Sequence, residues 1–160
     1  KTEMNKWLWA LLALGALLWN PAEPRDVGKL IPVELVQLSR DWDGVTVRTD
    51  TGNGGRGENL EEAMVDLKQK ASGEIFLETA EYVLLTGDQE AFIPELKHYF
   101  RPGTQVYEAP YLEDLEEAAA YLGQHRRESP LFRLQNRDLP RLIWHRGGLC
   151  FADGQTEPEP

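Results

Sequence analysis

Residues 46–87 read TVRTDTGNGGRGENLEEAMVDLKQKASGEIFLETAEYVLLTG, and this stretch decides the fold class. An alternating strand pattern leads into a glycine-rich segment, an amphipathic helix and extended runs that close at Gly87. Asn59 and Glu62 have capping-box spacing, and Gly73 is expected to end the helix. Its apolar stripe consists of Leu60, Ala63, Met64, Leu67 and Ala71. The stretch therefore predicts strand, turn, helix and strand in that order.

The flanking residues add further elements. Leu30–Leu38 and Val45–Thr49 alternate as strands, and Asp41-Trp42-Asp43-Gly44 between them predicts a hairpin whose Asp-Gly pair supplies positive φ angles. Trp42 at its tip is a candidate contact residue. Downstream we expect a helix capped by Asp88 and carrying Phe92, Ile93, Leu96, Tyr99 and Phe100, a strand at Gln105–Tyr107, a helix at Leu112–Leu122, an edge strand at Leu131–Leu134, and a hairpin that joins Leu142–Trp144 to Leu149–Phe151.

The order of the main elements is ββαβαβα. It predicts an α/β (α+β) domain over residues 25–135, with a mixed sheet and helices packed on that sheet. Residues 136–160 are expected to form a short hairpin and a polar C-terminal tail. At 160 residues the chain has room for one domain of ordinary size beside a leader and a tail.

Residues 1–24 are predicted to be a signal peptide or a membrane anchor. Trp7–Trp19 is an uncharged run of 13 residues that follows Lys6 and ends before Pro21, which suits the apolar part of a signal peptide. Tryptophans at both ends of the run also suit an uncleaved anchor. Either case predicts an extracytoplasmic protein, membrane-anchored or secreted.

The charge distribution limits the classes of partner. The net charge is -10, which argues against nucleic acid, because nucleic-acid binding relies on basic surfaces. Residues 26–124 hold 8 basic and 20 acidic residues, whereas residues 125–146 hold 6 Arg against Glu128 and Asp138. This basic end has two candidate targets, acidic lipid headgroups or the acidic helices of the chain itself. The expected partners are other envelope or membrane proteins.

The glycine-rich segment Gly52–Gly57 formally matches G-x-G-x-x-G, and Glu78 follows 21 residues after Gly57, near the position of a ribose-binding acid. Glu58, Glu61 and Glu62 argue against nucleotide binding, because they place negative charge where a phosphate would meet the helix. The simpler interpretation is a flexible or bulged connection. A small nucleotide-binding or hydrolytic enzyme that uses this turn remains the alternative function.

Other candidate motifs have simpler explanations. Asp50-Thr51-Gly52 is the tripeptide of retroviral-type aspartic peptidases, but those enzymes are almost wholly β, and a helix follows here. Cys150 is interpreted as a small apolar filler, and the histidines lack metal-binding spacing. A further acidic cluster is interpreted as a solvated helix face and consists of Glu113, Asp114, Glu116 and Glu117. We therefore predict a protein without enzymatic activity, cofactor or metal, and assign no catalytic or binding residue.

Several sequence segments within residues 27–134 resemble segments of the N-terminal domain of the C subunits of bacterial spore germinant receptors, the Ger(x)C family. The segments are the strand hairpin Val33–Thr49, the turn and helix start Gly55-Arg56-Gly57-Glu58-Asn59-Leu60-Glu61-Glu62-Ala63, the extended segment Glu74–Gly87, Tyr99-Phe100-Arg101 before the strand Gln105–Tyr107, and the Ala- and Glu-rich helix Leu112–Leu122. Family members carry a Cys after the apolar leader, whereas Asn20 and Pro21 follow it here. The resemblance implies a non-enzymatic envelope domain that serves assembly or signalling in sporulation or germination.

Overall fold

The computed structural model describes residues 29–87, 91–134 and 139–152. The strands are β1 (Leu30–Pro32), β2 (Leu35–Asp41), β3 (Gly44–Thr49), β4 (Gly54–Gly57), β5 (Glu74–Phe76), β6 (Tyr82–Thr86), β7 (Gln105–Glu108), β8 (Leu142–His145) and β9 (Gly148–Phe151). The helices are α1 (Leu60–Lys70), α2 (Ile93–Leu96) and α3 (Leu115–Gln124), and 3-10 turns lie at Leu77–Thr79 and Leu131–Arg133.

A mixed five-stranded sheet is the centre of the fold. Its order is β4-β3-β2-β6-β7, in which β4, β3 and β2 are antiparallel and β2, β6 and β7 are parallel. Helix α1 packs on β4 and β3, and α3 packs on β2. The parallel pair β1-β5 and the antiparallel pair β8-β9 are separate two-stranded sheets. The predicted mixed α+β fold with a mixed sheet is confirmed. The predicted order ββαβαβα, however, omitted β4 and counted β1 with β2, and β5 with β6, as one strand each.

Hydrophobic side chains cover both faces of the sheet, because successive residues of a strand point to opposite sides. Val36 and Leu38 of β2 lie in the same core as Leu67 of α1. Leu35 and Tyr107 belong to a second core on the other face. That second core also includes Leu115, Ala118, Ala119 and Leu122 of α3 and Leu142, Leu149 and Phe151 of the β8-β9 hairpin.

Helix α1 begins where the sequence predicts. The Glu62 amide donates to the Asn59 side chain at 2.9 Å, which confirms the cap. The Glu62 carboxylate accepts from the amide of Glu58 at 3.0 Å and not from that of Asn59. The helix ends at Lys70 with Ala71 as its C-cap, so Gly73 lies beyond the end and not at it.

Both predicted hairpins are present. In the first, Asp41 pairs with Gly44, and only Gly44 has a positive φ, of 128°, so the Asp-Gly pair supplies one such angle and not two. In the second, Arg146 and Gly147 have φ values of 48° and 81°, which suits a tight two-residue reversal between β8 and β9.

Two predicted strands differ from the structure. The Leu30–Leu38 run divides into β1 and β2 because β1 pairs with β5, while β2 pairs with β3 and β6. The Leu131–Leu134 run is not an edge strand. Leu131–Arg133 form a 3-10 turn. Pro130, just before the turn, forms an isolated β-bridge with Gln105, and the chain then curves away.

Two predicted helices have different bounds. Helix α3 begins at Leu115 and not at Leu112, because Asp114 accepts from the Glu117 amide at 2.8 Å and is the N-cap. Helix α2 is one turn long, because the amides of His98 and Tyr99 after it bond to carbonyls three residues back, in the tighter 3-10 pattern. Its N-cap is Phe92, whereas the predicted cap Asp88 lies outside the described residues.

Buried polar groups tie the loop before α3 to the sheet. Gln37 is buried and donates to Thr86 Oγ1 at 3.0 Å and to the Pro110 carbonyl at 2.9 Å. Arg48 donates to the Leu112 carbonyl at 2.6 Å. These bonds satisfy groups that would be costly to bury unpaired, and they hold the loop before α3 against the sheet.

The apolar run Trp7–Trp19 and the polar tail from Gly154 lie outside the described residues. Within the described ranges, no helix has the length and apolar character that a membrane span requires.

Candidate functional site

The glycine-rich segment is not a flexible connection. Gly54–Gly57 forms the edge strand β4, directly beneath α1. A Cβ atom on Gly55 would lie 2.2 Å from the Ala63 carbonyl oxygen and 2.3 Å from the Leu67 nitrogen, and one on Gly57 would lie 2.6 Å from the Ala63 nitrogen. The interpretation as a flexible or bulged turn is therefore wrong. Glycine is needed here because two backbones approach more closely than any side chain allows.

Amides within and directly after this segment are already bonded to carboxylates. The Arg56 amide donates to Asp66 Oδ2 at 2.8 Å, and the Glu58 amide donates to Glu62 Oε2 at 3.0 Å. Hydrogen bonds from Lys70 and then from the Arg56 amide lower the pKa of Asp66, so the carboxylate stays charged. A phosphate would have to displace these anions. The geometry thus gives no support to the nucleotide-binding alternative.

Glu78, the other residue of that alternative, is exposed in the 3-10 turn after β5. Strand β5 pairs with β1 and does not belong to the five-stranded sheet that contains the glycines.

The Asp50-Thr51-Gly52 tripeptide has a structural role. Asp50 Oδ2 accepts from the Glu34 amide at 3.1 Å, which ties the end of β3 to the start of β2. Its other oxygen, Oδ1, is buried and has no hydrogen-bond partner among the described residues. Thr51 Oγ1 lies 2.8 Å from Thr49 Oγ1 and accepts from the Asn53 side chain. These bonds make a compact turn.

The remaining candidates do not converge. Glu113, Asp114, Glu116 and Glu117 are all exposed around the start of α3, as expected for a solvated face. No group of His, Cys, Asp or Glu within the described ranges is arranged to hold a metal ion. Cys150 is half-buried between the buried Leu149 and Phe151, so it is not a core filler.

The tip of the β2-β3 hairpin is the most exposed aromatic feature that the structure describes. Trp42 is 97% exposed. Its neighbour Asp43 forms an ion pair with Arg56 of β4. A Cβ on Gly44 would lie 2.4 Å from the Gly57 carbonyl oxygen, so the hairpin lies closely against the end of β4. The glycine-rich strand therefore braces the tip that presents Trp42.

Acidic side chains surround the tip. A shallow cleft of about 450 Å³ is lined by Arg40, Asp41, Trp42, Asp43, Gly44 and Glu58. Arg40 lies 5.3 Å from the centre of the Phe92 ring, and Arg56 neutralises Asp43. Asp41 and Glu58 form no salt bridge with any described residue. We call Asp41, Trp42 and Glu58 the acidic tip.

A second surface lies between the turn before β7 and the segment that follows α3. The two segments are joined by backbone hydrogen bonds from Leu131 to Thr104 at 2.8 Å and from Phe132 to Pro102 at 3.0 Å. Buried Gln105 reinforces the joint, because its Oε1 accepts from the Ser129 amide at 2.6 Å. The surface therefore has a rigid backbone floor.

Arginines line this surface. Two adjoining clefts of about 460 and 620 Å³ share Gly103 and Arg126. The first also includes Arg101 and Glu81, and the second includes Arg133, Glu128, Phe132 and Pro130. We call the two clefts together the arginine groove.

The arginines differ in their pairing. Arg133 lies 3.8 Å from Glu128, whereas Arg101 and Arg126 have no ion-pair partner in the described part of the chain. Arg141 pairs with Glu108 of β7 at 3.5 Å. None of these arginines pairs with a described acidic helix, so they give no support to the alternative in which the basic end docks on the chain's own helices.

The sequence identified these surfaces only in part. Trp42 stood out as an aromatic residue in a hairpin turn. Residues 125–146 stood out by charge, but Arg101 lies outside that run and reaches the groove through the pairing of Pro102 and Thr104 with Phe132 and Leu131. Comparison of the chain with models of known protein families, with curated proteins and with solved structures finds no match.

Proposed function

We propose that the chain is a non-enzymatic interaction domain that is exported, associates with the membrane and uses the acidic tip to bind another envelope or membrane protein. The observation that carries this proposal is the 97% exposure of Trp42 on a braced hairpin. The sequence resemblance suggests that the assembly or signalling takes place in sporulation or germination.

The braced tip supports a role in binding. A fully buried large apolar side chain contributes about 1.5–3 kcal/mol, so a partner that covers Trp42 gains most of this amount. The pairing of Asp43 with Arg56 and the close contact of Gly44 with Gly57 hold the backbone of the tip before binding. Little conformational entropy is then lost on association, which favours affinity. Tryptophan is also among the residues most enriched at the energetic centres of interfaces.

Photocrosslinking tests the role of the tip. A photoreactive phenylalanine analogue replaces Trp42 in one variant and Trp144 in a control, in cells that make the full chain. Trp144 is a suitable control because it is also an exposed tryptophan of a hairpin, at 54%. We expect a discrete protein adduct from position 42 and none of comparable yield from position 144. Equal yields, or no adduct at position 42, would contradict the proposed function.

A reporter fusion tests the location. An enzyme that is active only outside the cytoplasm is attached after Pro160, with and without residues 7–19. We expect activity from the first fusion and none from the second, because the uncharged run has the length and character of a signal-peptide core. Equal activity of both fusions would show that this run does not direct export.

A further inference from the structure

The acidic tip and the arginine groove lie at opposite ends of the sheet. Strands β2, β6 and β7 are parallel. Trp42 follows the last residue of β2, whereas Glu81 and Thr104 of the groove precede the first residues of β6 and β7. The length of the strands therefore separates the two surfaces, and one copy of the chain cannot bring its own tip to its own groove.

The two surfaces are complementary in charge. The tip offers the carboxylates of Asp41 and Glu58, and the groove offers the guanidinium groups of Arg101 and Arg126. None of the four forms a salt bridge with a described residue. Each surface thus has charges available to pair with the other.

Their aromatic groups are complementary as well. Trp42 projects from the tip, and the groove offers the ring of Phe132, which is 55% exposed, beside Pro130. Arg133 already lies 5.2 Å from the centre of the Phe132 ring, so aromatic and guanidinium groups are adjacent in the groove. An indole ring can stack on both kinds of group.

We infer that the acidic tip of one copy docks in the arginine groove of a second copy. This inference rests on the proposed function, since it names the partner of the same tip. The contact joins two different surfaces, so it is heterologous, and repeated contacts build an open chain or a closed ring.

A second copy suits the groove better than an anionic membrane does. Glu81 and Glu128 lie in the groove among the arginines, and the 8 basic and 20 acidic residues of positions 26–124 leave that part of the chain with a net charge of −12. A phosphate-rich bilayer would repel this body, whereas a single tip with two carboxylates brings few charges. Because the net charge is -10, two copies also repel at long range. The association is therefore expected at high local concentration, as on a membrane surface, and at an ionic strength that screens this long-range repulsion more than it weakens ion pairs in direct contact.

Charge reversal provides the test. The full chain is studied in excess non-ionic detergent by sedimentation velocity, as wild type, as Asp41→Lys/Glu58→Lys, as Arg101→Glu/Arg126→Glu, and as the combination of all four substitutions. Lys68→Glu/Lys97→Glu is the control, because it changes the net charge as much as reversal of the groove does and uses exposed residues outside both surfaces. Thermal melts verify that every variant is folded.

We expect the wild type and the control to associate as their concentration rises towards about 0.5 mM in about 150 mM NaCl, where the Debye length is about 8 Å, and to dissociate in about 500 mM NaCl. Reversal of either surface alone is expected to weaken association roughly tenfold or more, because like charges then face each other. The combination of all four substitutions should restore association, because the tip and the groove again carry opposite charges.

Other results would overturn the inference. They are a wild type that stays monomeric throughout, reversals without effect, or a combination that fails to associate. Binding to vesicles of phosphatidylglycerol by a monomeric wild type, lost on groove reversal, would assign the groove to lipid instead. The crosslink at position 42 separates the two proposals: an adduct with a different protein keeps the proposed function and rejects self-association, whereas an adduct of two copies supports both.

Discussion

Replacing Gly55 with alanine tests whether the glycine-rich segment exists to let two backbones touch. A Cβ at this position would lie 2.2 Å from the Ala63 carbonyl oxygen, 2.3 Å from the Leu67 nitrogen and 2.7 Å from the Leu67 Cα. Carbon contacts are normally about 3.5–4.0 Å long, so α1 must move away from β4 by about 1 Å. All three neighbours are backbone atoms, and no side-chain rotation can relieve the clash.

The magnitude follows from two opposing effects. Overpacking of a core typically costs about 1–3 kcal/mol, and the upper end applies because moving α1 also loosens the packing of Leu60, Met64 and Leu67. Replacing glycine by alanine also lowers the conformational entropy of the unfolded chain, which stabilises the folded state by about 0.4–1 kcal/mol. We therefore expect Gly55→Ala to lower the free energy of unfolding by about 2–3 kcal/mol. At about 2–4 °C for each kcal/mol, the Tm falls by roughly 4–12 °C.

Urea unfolding followed by circular dichroism measures the change. Gly148→Ala is the control, because Gly148 also lies in a strand, has no positive φ, and has no atom within 4 Å of a Cβ placed on it. The control should be neutral or up to about 1 kcal/mol more stable than the wild type. If Gly55→Ala were as stable as Gly148→Ala, the close contact between β4 and α1 would not explain the glycine, and the flexible connection would have to be reconsidered.

Three further predictions concern the core, the pH dependence and ligands. Leu67→Ala should cost about 2–5 kcal/mol in urea unfolding because Leu67 is fully buried, whereas Glu61→Ala on the exposed face should be nearly neutral, and equal losses would contradict the packing of α1. Burial raises the pKa of Tyr107 from 10.0 to about 12, so the folded state holds the phenol proton more tightly than the unfolded state does. This difference stabilises the folded state fully below pH 10, and the stabilisation is lost as the pH rises through 12. Tyr107→Phe also loses the 2.5 Å hydrogen bond to the Arg127 carbonyl, so the variant should be about 1 kcal/mol less stable than the wild type at pH 7. Its stability should also fall less above pH 10, and parallel pH–stability profiles of the two proteins would refute this. NAD, FAD and ATP should not raise the Tm, whereas a ligand at 100 times its Kd would stabilise by about 2.7 kcal/mol, so a reproducible increase would revive the nucleotide-binding alternative.

Local signals in the sequence determined the best-predicted elements. The Asn59 cap and the apolar stripe define α1. Four residues of the predicted stripe, Leu60, Ala63, Met64 and Leu67, are buried, whereas the fifth, Ala71, is the half-buried C-cap. The two hairpins follow from alternating strands around turns that contain Gly44 or Gly147. In each case the deciding interactions join residues a few positions apart, so the sequence shows both partners together.

Contacts between distant segments decided the rest. The sequence alone does not explain why position 55 needs glycine. The reason is the backbone of Ala63 and Leu67, on the helix that passes directly over Gly55. The division of β1 from β2 reflects a change of partner strands, and the curve at Leu131–Arg133 reflects a bridge between Pro130 and Gln105.

The candidate surfaces divide in the same way. Hairpin chemistry placed Trp42 at a tip, and charge counting found a basic segment at residues 125–146. Only the folded chain brings Arg101 beside Arg126, since the residues lie 25 positions apart and meet through backbone pairing around Thr104 and Leu131. Turn and helix propensities act over a few residues and can be read along the chain, whereas the juxtaposition of charges depends on which segments pair, and that is set by the packing of the whole domain.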